Sequence, residues 1–298
     1  MSNQLALIKK DTVDIVAAKV KEFQEKGEVH FPANYSPENA MKSAWLILQT
    51  IKDRNQKPAL EVCTRDSVAN ALLDMVVQGL NPAKKQGYFI VYGTVLVFQR
   101  SYFGTMAVTK RVTDAKNIDA AVIYEGDEVD YEIVNGRITN LTHKQKFGNI
   151  NKDKVIGAYA TIVMDDGSVY HELMTIDEIR KAWSKAQFWA KGQSVEKEGS
   201  THDEFKGEMA KKTVINRACK KFMNSSDDSS LVMQHVNRAD DAAEEAQLEE
   251  EIKNNANGEI IDVEFEESPK EPAQIENNEP PHIEVQQPQM EYVGGPGF

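Results

Sequence analysis

The side chains of this chain best suited to chemistry are cations set among aromatics. Residues 79–111 read GLNPAKKQGYFIVYGTVLVFQRSYFGTMAVTKR. Lys84 and Lys85 precede two strand-like runs, Arg100, Lys110 and Arg111 follow them, and Gln99, Ser101 and Tyr102 add hydrogen-bonding and stacking groups. Lysine and arginine neutralise phosphates and aromatic faces stack on bases, so this mixture on a β element suits a nucleic-acid backbone. An ordinary core hairpin with solvated lysines at its ends fits the same residues. A second set lies in Thr201 to Met223. At about 100° per residue, a helix there puts Lys206, Thr213, Arg217, Lys220 and Lys221 on one side and Ile215, Ala218, Cys219 and Phe222 on the other. Lys211 and Lys212 flank the apolar side and can snorkel toward an anion. The basic stripe carries four cations and no carboxylate.

Catalytic constellations are missing from the sequence. It has no GxxxxGK[ST] phosphate loop, no HExxH or paired-cysteine spacing and no GxSxG elbow, so no ATP, metal or cofactor is expected and the chain does not read as an enzyme. Asp165-Asp166 with His171 and Glu172 offers the carboxylates that two-metal phosphodiester cleavage needs. Asp-Asp-Gly is also turn chemistry, and His171 and Glu172 point to opposite faces of a strand. Cys63 and Cys219, far apart in sequence and each within an expected helix, read as buried free thiols.

The elements that must hold these groups follow from periodicity. Tyr88 to Tyr92 and Val95 to Gln99 form a hairpin through Gly93-Thr94. Before it, helices are expected over Asp11 to Lys26, from the Ser36 cap with Pro37 in the first turn, and from Thr64 to the stop at Gly79. The first packs either on its own body or on a neighbouring subunit. After the hairpin, Ala120 to Tyr124, Glu128 to Val134 and Arg137 to Leu141 read as a meander whose Asn135-Gly136 is a strong turn signal. Val155 to Met164 and Ser168 to Met174 make another hairpin, and Thr175-Ile-Asp-Glu178 is a capping box opening a helix through Ala186. Phe188 and Trp189 either plug the core or stand ready to stack.

The net charge of −12 over 298 residues conceals two regimes. From Asp241 onward sixteen Asp and Glu face only Lys253 and Lys270, while residues 1–240 carry a net charge of +2. A near-neutral body can bind a polyanion if its cations converge. The tail, acidic and poor in large apolar residues, is expected to be mostly disordered, either solvating or docking on a partner. Three segments result: 1–35, an N-terminal helix with possible subunit contact; 36–240, a binding core; and 241–298, the acidic tail. No apolar run approaches a bilayer span and the N-terminus lacks a signal-peptide core, which reads as cytoplasmic.

Five blocks, taken in order, resemble the RecT family of phage single-strand DNA annealing proteins: GLNPAKKQGYFIVYG at 79–93, FQRSYFG at 98–104, YEGDEVDYEIVNG at 124–136, VIGAYATIVMDDGSVYHELMTIDEIRKAWSKA at 155–186 and MAKKTVINRACKKF at 209–222. The resemblance covers roughly residues 40 to 225. It departs from the family at Phe103 and Asn216, where a basic residue and an arginine are common, and no phosphate contact is carried over to either. It implies an α+β fold with a curved antiparallel sheet and hairpins packed on a long helix. It also implies an ATP-independent protein of a phage, in the cytoplasm of a bacterial host, that coats single-stranded DNA as an oligomer, pairs it with a complement and holds the annealed duplex. A 5′→3′ exonuclease is the implied partner, with the host single-strand binding protein as a further one. Phosphate ligands are expected at Lys84, Lys85, Arg100, Lys110 and Arg111 on the ribbon and at Lys206, Lys211, Lys212 and Arg217 on the helix. Gln99 and Tyr102 add hydrogen bonds or stacking, and Lys144 and Lys146 reach toward the second strand. A protein that coats single strands without annealing them is the alternative.

Overall fold

The chain is described by a computed structural model over residues 2–184, 196–225 and 230–255. Helix α1 (Ser2–Glu25) begins earlier than the start expected at Asp11, because residues 2–10 are mostly good helix formers and continue the same helix. It stops at Gly27, whose φ of +71° is open to glycine. Val16, Val20 and Phe23 bury its inner face in the protein's own core. Helices α2 (Pro37–Leu48), α3 (Ala59–Val62) and α4 (Arg65–Val77) follow. Ser36 caps α2 by accepting from Asn39 N, and Thr64 caps α4 by accepting from Ser67 N. Strands β1 (Gly87–Tyr92) and β2 (Val95–Arg100) form the expected ribbon, with Tyr88 opposite Gln99 and Phe89 opposite Phe98. Period-2 alternation buries Phe89 and Phe98 on one face and leaves Tyr88 56 % exposed on the other.

A helix the sequence reading passed over comes next, α5 (Tyr102–Val112), capped by Ser101, whose Oγ accepts from Gly104 N. Tyr102, Lys110 and Arg111 therefore belong to this helix and not to the ribbon. Gly104 makes the close approach possible: a Cβ there would lie 2.0 Å from the Gln86 carbonyl oxygen. Strands β3 (Ala115–Tyr124), β4 (Glu128–Val134), β5 (Arg137–Lys144), β6 (Val155–Met164) and β7 (Val169–Thr175) make two further sheets. One is antiparallel in the order β3-β6-β7; the other is the β4–β5 hairpin, turned by Asn135-Gly136. Asp127 ties that hairpin to the sheet, accepting hydrogen bonds from Tyr124 N, Gln145 Nε2 and Asn149 Nδ2 and pairing with His143 Nε2 at 3.1 Å. Burial alone would raise its pKa, but these hydrogen bonds together outweigh burial and hold the carboxyl well below the usual carboxylate range.

Helix α6 (Ile176–Ser184) opens on the expected capping box: Thr175 N donates to Glu178 Oε2, and Glu178 N to Thr175 Oγ1. Phe188 and Trp189 lie outside the described residues. The single helix expected from Thr201 to Met223 is two, α7 (Thr201–Glu204) and α8 (Lys206–Asn224), because Phe205 leaves helical geometry at φ −118°, ψ 40°. Helix α9 (Leu231–Asn255) runs past the boundary read from composition at 240, since its Ala, Glu and Gln are strong helix formers. The chain is thus α+β, with an antiparallel sheet and hairpins packed on helices.

Two large apolar clusters among the described residues organise these elements. Helices α1, α2, α4, α9 and the inner face of the ribbon bury Trp45, Leu72, Met75, Phe98 and Val236 together. The three-stranded sheet packs on α6 and α8 through Ala160, Ile162, Ile179, Trp183 and Val214. Helix α5 belongs to both, with Val108 in the first cluster and Tyr102 and Met106 against the second. Cys219 is buried, Cys63 caps α3 half-buried, and both are free; burial, and then Asp53, push the Cys63 thiol up to about 11. Among the described residues no helix is long and apolar enough to cross a membrane.

Candidate nucleic-acid interface

A groove of ≈ 1010 Å³ runs between the outer face of the ribbon and the exposed side of α8. Tyr88, Gln99 and Arg100 reach it from the ribbon and Tyr102 from the start of α5; Lys212, Arg217 and Lys220 reach it from α8. Its position follows from two local facts. Strand parity turns Tyr88 and Gln99, which pair across the ladder, away from the core. The i, i+5 and i+8 spacing of Lys212, Arg217 and Lys220 along α8 keeps them off the buried stripe of Val214, Ile215, Ala218 and Cys219. Among the described residues that line the groove, Glu178 is the one acid.

The sequence reading missed Lys181, Trp183 and His202, which also line this groove. Trp183 is buried, donates from Nε1 to Thr213 Oγ1 at 2.7 Å, and meets His202 edge-on with ring centroids 4.8 Å apart. Burial first, and then the Lys212 ammonium, pull the His202 imidazole below its usual pKa, with Glu196 opposing. Lys181 was findable: it lies six residues into the helix that the capping box announces. Glu178 is held ionised below its usual range, first by the Thr175 N–H and after that by Arg217.

The other expected ligands divide. Lys84, Lys85 and Lys110 gather with Phe103 and Met106 around a second hollow of ≈ 540 Å³. Ser101 joins this patch to the groove, since it caps α5 and donates through Oγ to the Lys85 carbonyl at 2.6 Å. The Tyr102 and Phe103 rings stack across the divide, centroids 4.0 Å apart. Lys211 forms an exposed pair with Glu208 at 2.9 Å. Lys144 pairs with Glu128 at 3.6 Å on the β4–β5 hairpin, and Lys146 precedes the next turn; neither lines the groove.

Two expected ligands are committed to the fold. Arg111 donates from Nη1 to the Val77 carbonyl and from Nη2 to the His30 carbonyl, at 2.8 and 2.9 Å, and lies over the Phe31 ring. It closes the C-terminal end of α4 and ties it to His30. Lys206 is 7 % exposed and pairs with Glu196 at 3.2 Å; as the first residue of α8 it stands one turn before buried Ala210 and two before buried Val214. Arg100 is also engaged, by Gln78 and Asp240. Arg217 and Lys221 share Glu172, at 2.9 and 3.3 Å. Glu172 is thus a partner of cations on β7, while Asp166 accepts from Ser168 N and Oγ in its turn and His171 meets Thr161 Oγ1 at 3.0 Å.

An α+β chain with a groove that sets Tyr88 and Tyr102 opposite the cations of α8 has the form of a single-strand nucleic-acid binder. Residues 38–257 match the RecT family, and the chain belongs to it. Membership implies a single-strand annealing recombinase function, with single-stranded DNA as ligand, in a family that is generally non-catalytic. No curated protein matches the chain.

Proposed function

We propose that this protein anneals complementary DNA strands without nucleotide, holding the first strand by its phosphates in the groove between ribbon and α8 and leaving base edges free for the second. The observation that carries this reading is the meeting of Tyr88, Gln99 and Tyr102 with Lys212, Arg217 and Lys220 across one groove. Annealing any sequence requires backbone contacts to dominate, and a groove of cations and aromatics supplies contacts that every sequence offers equally. The Lys84, Lys85 and Lys110 patch extends the phosphate track past the Tyr102–Phe103 stack, and Lys144 and Lys146 serve the second strand. One groove spans few nucleotides, so subunits aligned side by side coat the strand and multiply a weak grip. A 5′→3′ exonuclease supplies the single strand, and the host single-strand binding protein is the competitor or partner on it.

The test is to mix complementary oligonucleotides without ATP and follow pairing by fluorescence. Pairing faster than in the protein-free mixture is expected. Binding accompanied by slower pairing would replace annealing with strand protection, and a strict ATP requirement would place the protein in another class of recombinase.

A further inference from the structure

Arg100 is the most deeply held cation of the groove. Its side chain is 3 % exposed, whereas that of its partner Asp240 is 42 % exposed. Nη1 donates to Gln78 Oε1 at 2.9 Å and to the Val236 carbonyl at 3.2 Å. Nη2 alone donates to both Asp240 oxygens, at 2.9 and 2.8 Å. The last donor, Nε–H, is buried and meets no acceptor among the described residues. A guanidinium presents Nε and Nη2 as a two-pronged edge suited to a pair of anionic oxygens, and here the carboxylate occupies one prong. Lys220, on the α8 wall of the groove, lies 3.7 Å from the same carboxylate. One acid of α9 thus sits between two groove cations without filling the donors it faces.

We infer that Arg100 and Lys220 form a phosphodiester subsite, and that Asp240 occupies it in the free protein as a stand-in which the DNA backbone displaces. The inference rests on the nucleic-acid reading above. Gln78 and Val236 hold Nη1, so the fork stays aimed when the acid leaves. Asp240 is exposed enough to swing out by side-chain rotation. Helix α9 itself stays docked through Asp74, which pairs with His235 Nδ1 at 2.6 Å and accepts from Arg238 Nε at 2.9 Å, and through buried Val232, Met233 and Val236. A phosphodiester brings two non-bridging oxygens, enough for both prongs. Because the strand must displace a carboxylate, affinity in the wild type is lower than its cations alone would give.

The experiment measures binding of fluorescein-labelled oligo-dT to the full chain across a salt series. D240N keeps the shape and removes the charge; it is expected to bind about three- to tenfold more tightly at low salt, with a slope of log K against log salt steeper by about 0.7 to 1.4. D241N makes the same charge change at an exposed neighbour and is expected to change affinity less than about twofold, since exposed charges are screened. Adding R100Q to D240N cancels the gain. Equal gains from D240N and D241N, a gain that survives R100Q, or a folded D240N with no gain each overturns the subsite. Should D240N fail to fold, the wild type answers: with 15N-labelled arginine, the Arg100 Nε–H resonance, assigned by its loss in R100Q, shifts when oligo-dT is added. An unmoved resonance refutes displacement. Wild type that does not bind oligo-dT fells the nucleic-acid reading itself, whereas wild-type binding without the D240N gain fells the subsite alone.

Discussion

Lys212→Gln tests the groove at one open cation. Lys212 is exposed on α8, lines the groove and forms no ion pair with any described residue, so its removal leaves no partner stranded. A unit charge about 4 Å from a phosphate in water contributes about 1 kcal/mol, and an exposed lysine belongs near that limit. The loss corresponds to about fivefold in affinity at low salt, since about 1.4 kcal/mol is tenfold. One phosphate contact fewer makes the slope of log K against log salt shallower by about 0.7 on a single strand. Lys181→Gln, from α6 on the same groove and likewise without an ion pair among the described residues, is expected to do the same, and the double variant to lose about 1.4 in slope. Fluorescence anisotropy with oligo-dT and with mixed-sequence oligonucleotides, at four or more salt concentrations, gives slope and affinity together. The melting temperature should stay put, because neither side chain holds the fold. A loss confined to particular sequences, or a loss of affinity with the slope intact, would refute phosphate readout by this groove.

Arg111→Ala removes the charged donor that closes α4 at Val77 and ties His30, and is expected to cost about 2 kcal/mol of stability in chemical denaturation, with oligo-dT affinity per folded molecule unchanged. Gly104→Ala drives a methyl group into the Gln86 carbonyl and should destabilise by about 1–3 kcal/mol, lowering the thermal midpoint. The folded pKa of Asp127 lies below its unfolded value, so its contribution is complete at neutral pH and declines as pH falls from about 4 toward the depressed folded value. Asp127→Asn should therefore flatten that acid limb in melting curves taken from pH 7 to pH 2. Ending the chain after Asn255 removes a segment of net charge −9 and is expected to leave oligo-dT binding equal or tighter. Ending it after Asp240 instead cuts α9 and strips buried Ala243 from Tyr92 and Val97, which a lower melting temperature would report.

Most of the fold was legible because its signals are local. Ser36, Thr64 and the Thr175/Glu178 box cap the helices they announce, and Gly93-Thr94, Asn135-Gly136 and Asp165-Asp166-Gly167 turn the chain where they stand. Helix α5 was not, because Tyr102 to Val112 is rich in residues that favour strands, and only its packing into both apolar clusters decides for helix. Its one local cue was Ser101 as a cap. Helix α9 hid for a different reason: Val232, Met233, Val236, Ala239 and Ala243 keep helical spacing, but the acidic composition that begins midway drew the boundary at 240.

The binding residues were legible by type and not by availability. Sequence shows that a lysine or arginine is present; whether it can meet a ligand depends on which backbone oxygens and carboxylates the fold brings beside it. Arg111 is taken by two carbonyl groups from segments far away in sequence, Lys206 by Glu196 at the start of α8, and Arg100 by an acid 140 residues on. Lys212 and Lys181, with nothing distinctive in sequence beyond their charge, are left open in the groove. The pairing also explains how a body of nearly zero net charge can present a cationic face: Glu172, Glu196 and Asp240 pair with cations from outside the lining, while among the described lining residues Glu178 is the one acid. Since exposed charges separated by more than about 8 Å are largely screened at physiological salt, what a DNA strand meets is this local arrangement and not the sum over the chain.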